Sequence, residues 1–159
     1  KKMIHADDIK LINKELKKFP DNQKQSAVIA ALRIVQTRHG WLTHEHISDV
    51  ANYLGMPEIA AMEVATFYNM FNLESKGKYQ ITVCTNISCM LRNSFEIVHH
   101  LEKKLGIGFG EITKDKKFSL KEGECMGACS GAPLCLVNNH TMHEHLTTEK
   151  IDKLIASLK

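Results

Sequence analysis

Apolar positions fall three and four residues apart through the first part of the chain, then switch abruptly to strict alternation. Ile9, Ile12, Leu16 and Phe19 set the first period after Asp7-Asp8, which can cap a helix, and Pro20-Asp21-Asn22 ends it. A second helix is predicted over 23–38, with Val28, Ala31, Leu32 and Val35 on one face and Gly40 as its stop. A third, over 44–53, follows Thr43 as N-cap, carries Ile47, Val50, Ala51 and Leu54, and stops at Gly55. Pro57, whose missing N–H is harmless in a first turn, opens a fourth that presents Ile59, Val64, Phe67, Tyr68 and Phe71.

The texture changes at Glu74-Ser75-Lys76-Gly77-Lys78. Tyr79-Gln80-Ile81-Thr82-Val83-Cys84 alternates and is rich in β-formers, so it predicts a strand. A helix is predicted over 89–105, with Phe95, Val98 and Leu101 inward and Gly106 at its end. Short strands are predicted over 117–120, 134–137 and 141–143. A last helix after Thr147 or Thr148 turns Ile151, Leu154 and Ile155 inward. The expected class is α+β: a small N-terminal helical bundle over residues 1–75, then an α/β domain over 76–159. The order strand, helix, three strands, helix resembles the thioredoxin-like arrangement.

Composition narrows the field. The 159 residues can bury a real core, and 43% apolar with 25% charged is ordinary for a globular protein. No apolar run nears the roughly 18 residues of a membrane-spanning helix, since the longest, 27–35, is broken by Arg33. No charged-then-apolar leader is read at the start. A formal net charge of +3 does not point to nucleic acid, and the basic stretch Lys114, Lys116, Lys117 and Lys121 reads as a solvated loop.

The chemistry lies in the cysteines. Four of the five form two tight pairs, Cys84-x4-Cys89 and Cys125-x3-Cys129, separated by 35 residues. An odd count in a chain of this size argues against a disulfide framework and for metal-binding or redox cysteines in a reducing compartment. The second pair is set in Glu124-Cys125-Met126-Gly127-Ala128-Cys129-Ser130-Gly131-Ala132-Pro133, almost all small residues. Backbone N–H groups can approach anionic sulfur closely in such a loop, as an iron–sulfur cluster requires. The spacing suits four thiolates around a two-iron, two-sulfur centre, with the N–H donors expected around residues 86–88 and 127–131.

Three other readings stand beside that one. Structural zinc prefers Cys-x2-Cys knuckles, although gaps of four and three do not forbid it. A thioredoxin-type enzyme needs Cys-x2-Cys, which is absent from the sequence. Four unrelated buried thiols would require two close pairs by accident. Cys135, between Leu134 and Leu136, reads as a packed strand residue. His99, His100, His140, His143 and His145 read as ordinary surface or core histidines. Gly106-Ile107-Gly108-Phe109-Gly110 follows a helix, not a strand, and reads as a cap and turn.

Several motifs together resemble the small ferredoxin subunit of NADH:quinone oxidoreductase (respiratory complex I), known in mitochondria as the 24-kilodalton subunit. They are Ala30-Ala31-Leu32-Arg33-Ile34-Val35-Gln36, His39-Gly40-Trp41, Glu63-Val64-Ala65-Thr66-Phe67-Tyr68, Val83-Cys84-Thr85-Asn86-Ile87-Ser88-Cys89, Glu124-Cys125-Met126-Gly127-Ala128-Cys129, Ala132-Pro133 and His145-Leu146-Thr147. The resemblance implies one [2Fe-2S] cluster held by Cys84, Cys89, Cys125 and Cys129, the first pair on one iron and the second on the other. It implies a non-catalytic electron-transfer subunit of a proton-translocating NADH dehydrogenase, exchanging single electrons with an FMN. That FMN, like NADH, is expected only in a neighbouring flavoprotein subunit. The large iron–sulfur subunit is a second expected partner, and neither nucleic acid nor direct membrane insertion is expected. The implied location is peripheral, on the inner face of the bacterial inner membrane or the mitochondrial matrix side. An NAD-linked hydrogenase or formate dehydrogenase would use a similar subunit, and a zinc-stabilised interaction module is the alternative of another class. For the helical part, a docking face with Phe67, Tyr68, Met70 and Phe71 is weighed against simple core packing.

Overall fold

A computed structural model describes residues 4–158 of the chain; the outer bounds expected above, residues 1 and 159, lie outside them. The described chain is α+β, with helices first and a mixed sheet after them. It divides into two compact units, the first running to Ser75 and the second starting at Lys76.

Four α-helices make the first unit: α1 (Ala6–Leu16), α2 (Val28–His39), α3 (His44–Leu54) and α4 (Glu58–Phe67). Their stops are chemical. Gly40 and Gly55 take left-handed φ of 83° and 70°, which a side chain disfavours. Thr43 and His46 form a reciprocal capping box at the start of α3, each side chain bonding the other's backbone N–H. Ile12, Ala31, Leu32, Val35, Val50, Ala51 and Ala61 meet in a solvent-free core.

Three sequence expectations need correction here. His5, not Asp7-Asp8, caps α1, and Asp8 is buried against Arg38 of α2, Nε to Oδ2 2.7 Å. A 3-10 turn, Lys24–Ala27, precedes α2. The outward residues of α4 and the segment after it do not fill the core: Phe67 is 81% exposed, Ile59 67%, and Tyr68 and Met70 38% each, while Phe71 is buried.

The second unit is a four-stranded sheet in the order β2-β1-β3-β4: β1 (Tyr79–Cys84), β2 (Phe118–Gly123), β3 (Cys135–Val137) and β4 (Thr141–His143). β1 pairs parallel with β2 and antiparallel with β3. The expected single helix over 89–105 is two, α5 (Ile87–Met90) and α6 (Ser94–Leu105), parted by Asn93 at φ 63°. The last helix, α7, spans Thr148–Ser157 behind the N-cap Thr147. Alternation along β1 sends Ile81 and Val83 into the core with α6 residues Ile97, Val98 and Leu101 and α7 residues Ile151 and Leu154. Cys135 sits fully buried in the same core, and burial pushes its thiol up to about 12. β2 runs three residues past its predicted end, so Lys121 lies in a strand, and burial holds its ammonium below the usual lysine range.

Candidate metal centre

The two cysteine pairs hang from the ends of neighbouring strands. Cys84 is the last residue of β1, directly opposite Gly123 at the end of β2, and Cys125 follows Gly123 by two residues. The parallel pairing of β1 and β2 therefore brings together two loops that are far apart in sequence. Hydrogen bonds between the loops fix that approach. The Thr85 amide donates to the Gly123 carbonyl at 3.2 Å, the Thr85 hydroxyl to Glu122 at 2.7 Å, and the Asn86 side-chain amide to Glu124 at 3.0 Å. Asn86 also accepts from the Ile87 amide, starting the single turn of α5 that carries Cys89.

The Cys125 and Cys129 Sγ atoms lie 3.7 Å apart. Two thiolates on one tetrahedral metal at about 2.3 Å would be about 3.8 Å apart, whereas a disulfide spans about 2.05 Å. All five cysteines are free thiols. The Cys89 thiol is pushed up to about 11, first by burial, next by its hydrogen bond to the Cys84 thiol and that group's charge, with Cys129 adding to the effect. The Leu134 backbone pulls the other way. Cys89 thus feels the charge of both Cys84 and Cys129. Cys84 and Cys89 are buried, with Ala132 and Leu134 around them, while Cys125 and Cys129 are exposed. Cys135 is in the sheet core, away from this group of residues.

Among the described residues no three or more His, Cys, Asp or Glu side chains converge as a single-ion site requires. The sulfurs come as two pairs instead, and a two-iron centre draws two protein ligands to each metal. The donor set fits such a centre in kind and number. Four thiolates would present strongly anionic sulfur, and the backbone supplies partial positive charge against it. The Gly127 amide points at Cys125 Sγ, 3.4 Å away, with Gly127 at φ 75°. No atom would crowd a Cβ there, so glycine is required by the backbone conformation alone.

Two of the other expected donors are engaged elsewhere. The Ile87 amide bonds its own cap, and the Gly131 amide bonds the Ala128 carbonyl. Leu134, which sequence reasoning did not single out, holds Cys84 through its carbonyl, which accepts from the Cys84 amide at 3.2 Å. Its position just past Pro133 in the cysteine loop was the available signal.

Comparison with known proteins agrees with this picture. Residues 12–159 match the family described as thioredoxin-like [2Fe-2S] ferredoxin. A protein of Rickettsia conorii named as a subunit of NADH-quinone oxidoreductase is 46% identical over 153 residues, covering 96% of this chain and 91% of the relative. Its counterpart of the same name in Rickettsia felis is 49% identical over 141 residues, covering 88% and 84%. The fold is similar to part of a solved NAD+-reducing [NiFe]-hydrogenase, TM-score 0.71 at 21% identity, covering 88% of this chain and 24% of that one.

Proposed function

Because this chain belongs to the thioredoxin-like [2Fe-2S] ferredoxin family, we propose that it is the electron-transfer subunit of an NADH:quinone oxidoreductase, with Cys84, Cys89, Cys125 and Cys129 holding one [2Fe-2S] cluster. The observation that carries this reading is the meeting of two cysteine pairs at the ends of β1 and β2, one pair at 3.7 Å. A cluster bound there supplies one-electron redox chemistry at a potential set by charge, hydrogen bonds and exposure. The protein residues do the rest. The Gly127 backbone N–H points at sulfur, and burial of Cys84 and Cys89 keeps water from one side. Cys125 and Cys129 face outward, which makes their side the port for the electron.

The partner across that port is a flavoprotein subunit carrying FMN and the NADH site, and the large iron–sulfur subunit completes the assembly. No described helix is long and apolar enough to cross a membrane; the place that goes with this function is peripheral, on the inner face of the bacterial inner membrane or its mitochondrial equivalent. The respiratory assembly is favoured over a hydrogenase or formate dehydrogenase because close sequence likeness runs to NADH-quinone oxidoreductase proteins, whereas the hydrogenase likeness is one of fold.

The test mixes the intact chain, isolated without oxygen, with its flavoprotein subunit and NADH. The visible absorbance of the chain should bleach only when both are present. Persistent colour beside a fully reduced flavin would refute the assignment.

A further inference from the structure

Among the described residues, one exposed carboxylate beside the cysteine loop accepts no hydrogen bond on its carboxylate oxygens. Gly131 ends the 3-10 turn that starts at Cys129, and it is buried. A Cβ built on Gly131 would lie 2.5 Å from Glu144 Cδ and 2.7 Å from Glu144 Oε1. The exposed Glu144 side chain therefore lies close to the Gly131 backbone, in the space a side chain there would take. Backbone bonds tie the two residues after Glu144 to the cysteine loop. The His145 amide donates to the Gly131 carbonyl at 2.6 Å, and the Leu146 amide to the Pro133 carbonyl at 2.9 Å. His145 reaches that bond through a φ of 49°, a conformation in which non-glycine residues are uncommon.

Among the described residues the Glu144 carboxylate has no ion-pair partner, and Lys150 Nζ bonds the Glu144 backbone carbonyl instead, at 3.5 Å. The two other nearby carboxylates differ. Glu122 and Glu124 accept hydrogen bonds from Thr85 and Asn86 and so tie the loops together.

Resting on the cluster assignment above, we propose that Glu144 tunes redox poise: its negative charge disfavours addition of an electron at the four-cysteine site. No bond forms or breaks in this; one electron enters, and the added negative charge meets one already in place. Consecutive Cα atoms are 3.8 Å apart, so the two-residue step from Gly131 to Cys129 plus the Glu144 contact puts the carboxylate within about 12 Å of the Cys129 Cα. For a unit charge about 12 Å away, at an effective dielectric constant of about 40, between the about 20 of a protein surface and the about 80 of water, Coulomb's law gives about threefold in the reduction equilibrium.

The test is a mediated redox titration of the full cluster-bearing chain, read by visible absorbance at an ionic strength of about 0.01 M, where the Debye length is about 30 Å. Glu144→Gln keeps the shape and loses the charge. It should raise the reduced-to-oxidised ratio about threefold at fixed potential, a shift of about 28 mV at 59 mV per tenfold for one electron. Glu144→Ala should match it, and raising the salt to about 1 M should erase most of both shifts. Gly131→Ala, which the backbone tolerates, should displace the carboxylate and shift the midpoint the same way by less. It should add nothing to Glu144→Gln. Asp115→Asn removes an equal charge from the turn before β2, a strand length of about 17 Å beyond the Cys84 end, and should move the midpoint far less. A Glu144→Gln midpoint equal to wild type, or a shift indifferent to salt, overturns the proposal while leaving the cluster assignment intact. A wild-type chain that binds no iron overturns both.

Discussion

Replacing Gly123 with alanine should loosen the point from which both cysteine pairs hang. A Cβ at Gly123 would lie 2.7 Å from Met126 Cε, 2.7 Å from Thr82 Cγ2 and 3.3 Å from the Val83 carbonyl oxygen. Carbon atoms in good contact sit about 3.5–4.0 Å apart, so each methyl must retreat by about 1 Å. Met126 can do so, because its methyl ends a flexible chain. Thr82 cannot do so cheaply. It is β-branched, buried at 5% exposure, and fixed in β1 between Lys121 and Leu136. Overpacking of this kind costs about 1–3 kcal/mol. At about 2 kcal/mol, a unit of this size loses about 10 °C in Tm. The strain also falls on the Thr85-to-Gly123 bond, so iron should pass to a chelator faster. The assay follows visible absorbance of the full chain during heating and during chelator challenge. Thr82→Ser removes the offending methyl, so the double variant should recover most of the loss. Gly123→Ala melting within about 1 °C of wild type, or no relief from Thr82→Ser, would refute the reasoning.

The helical unit offers two further predictions. Leu32→Ala empties a site with no solvent exposure and should cost that unit about 2–5 kcal/mol, measured by urea unfolding with Trp41 fluorescence. His46 accepts from the Thr43 amide through Nδ1, and burial holds its pKa below the usual imidazole range, helped by His39 and opposed by Glu45 and Asp49. The unfolded chain therefore takes up a proton below about pH 6.5 that the folded chain resists, so stability should fall as pH drops through that range. His46→Gln, a usual capping-box residue, should remove this acid sensitivity while keeping the cap, worth about 1 kcal/mol; an unchanged slope with pH would count against it.

Features written in single residues were legible in the sequence. Gly40, Gly55 and Gly106 are left-handed stops, and Thr43 and Thr147 are N-caps, because these jobs depend on local backbone chemistry. Features that depend on tertiary neighbours were not. The break at Asn93 is hidden because apolar residues continue on both sides of it. The extension of β2 through Lys121 and Glu122 is invisible because the β1 ladder, not side-chain pattern, holds those residues in a strand. Phe67 looks like core but is exposed, since α4 is apolar on more faces than its neighbours cover. At the site, the contrast between a buried and an exposed cysteine pair, the Leu134 contacts and the Glu144–Gly131 contact all arise from folding and have no signature in spacing.

Iron and acid-labile sulfide counted per chain, in wild type and in five single Cys→Ser variants, tests the central claim most directly. The account predicts two of each in wild type and in Cys135→Ser, and loss or severe depletion for Cys84, Cys89, Cys125 and Cys129 alike. One tightly held zinc in place of iron, or a Cys135→Ser chain as depleted as the other four, would contradict it.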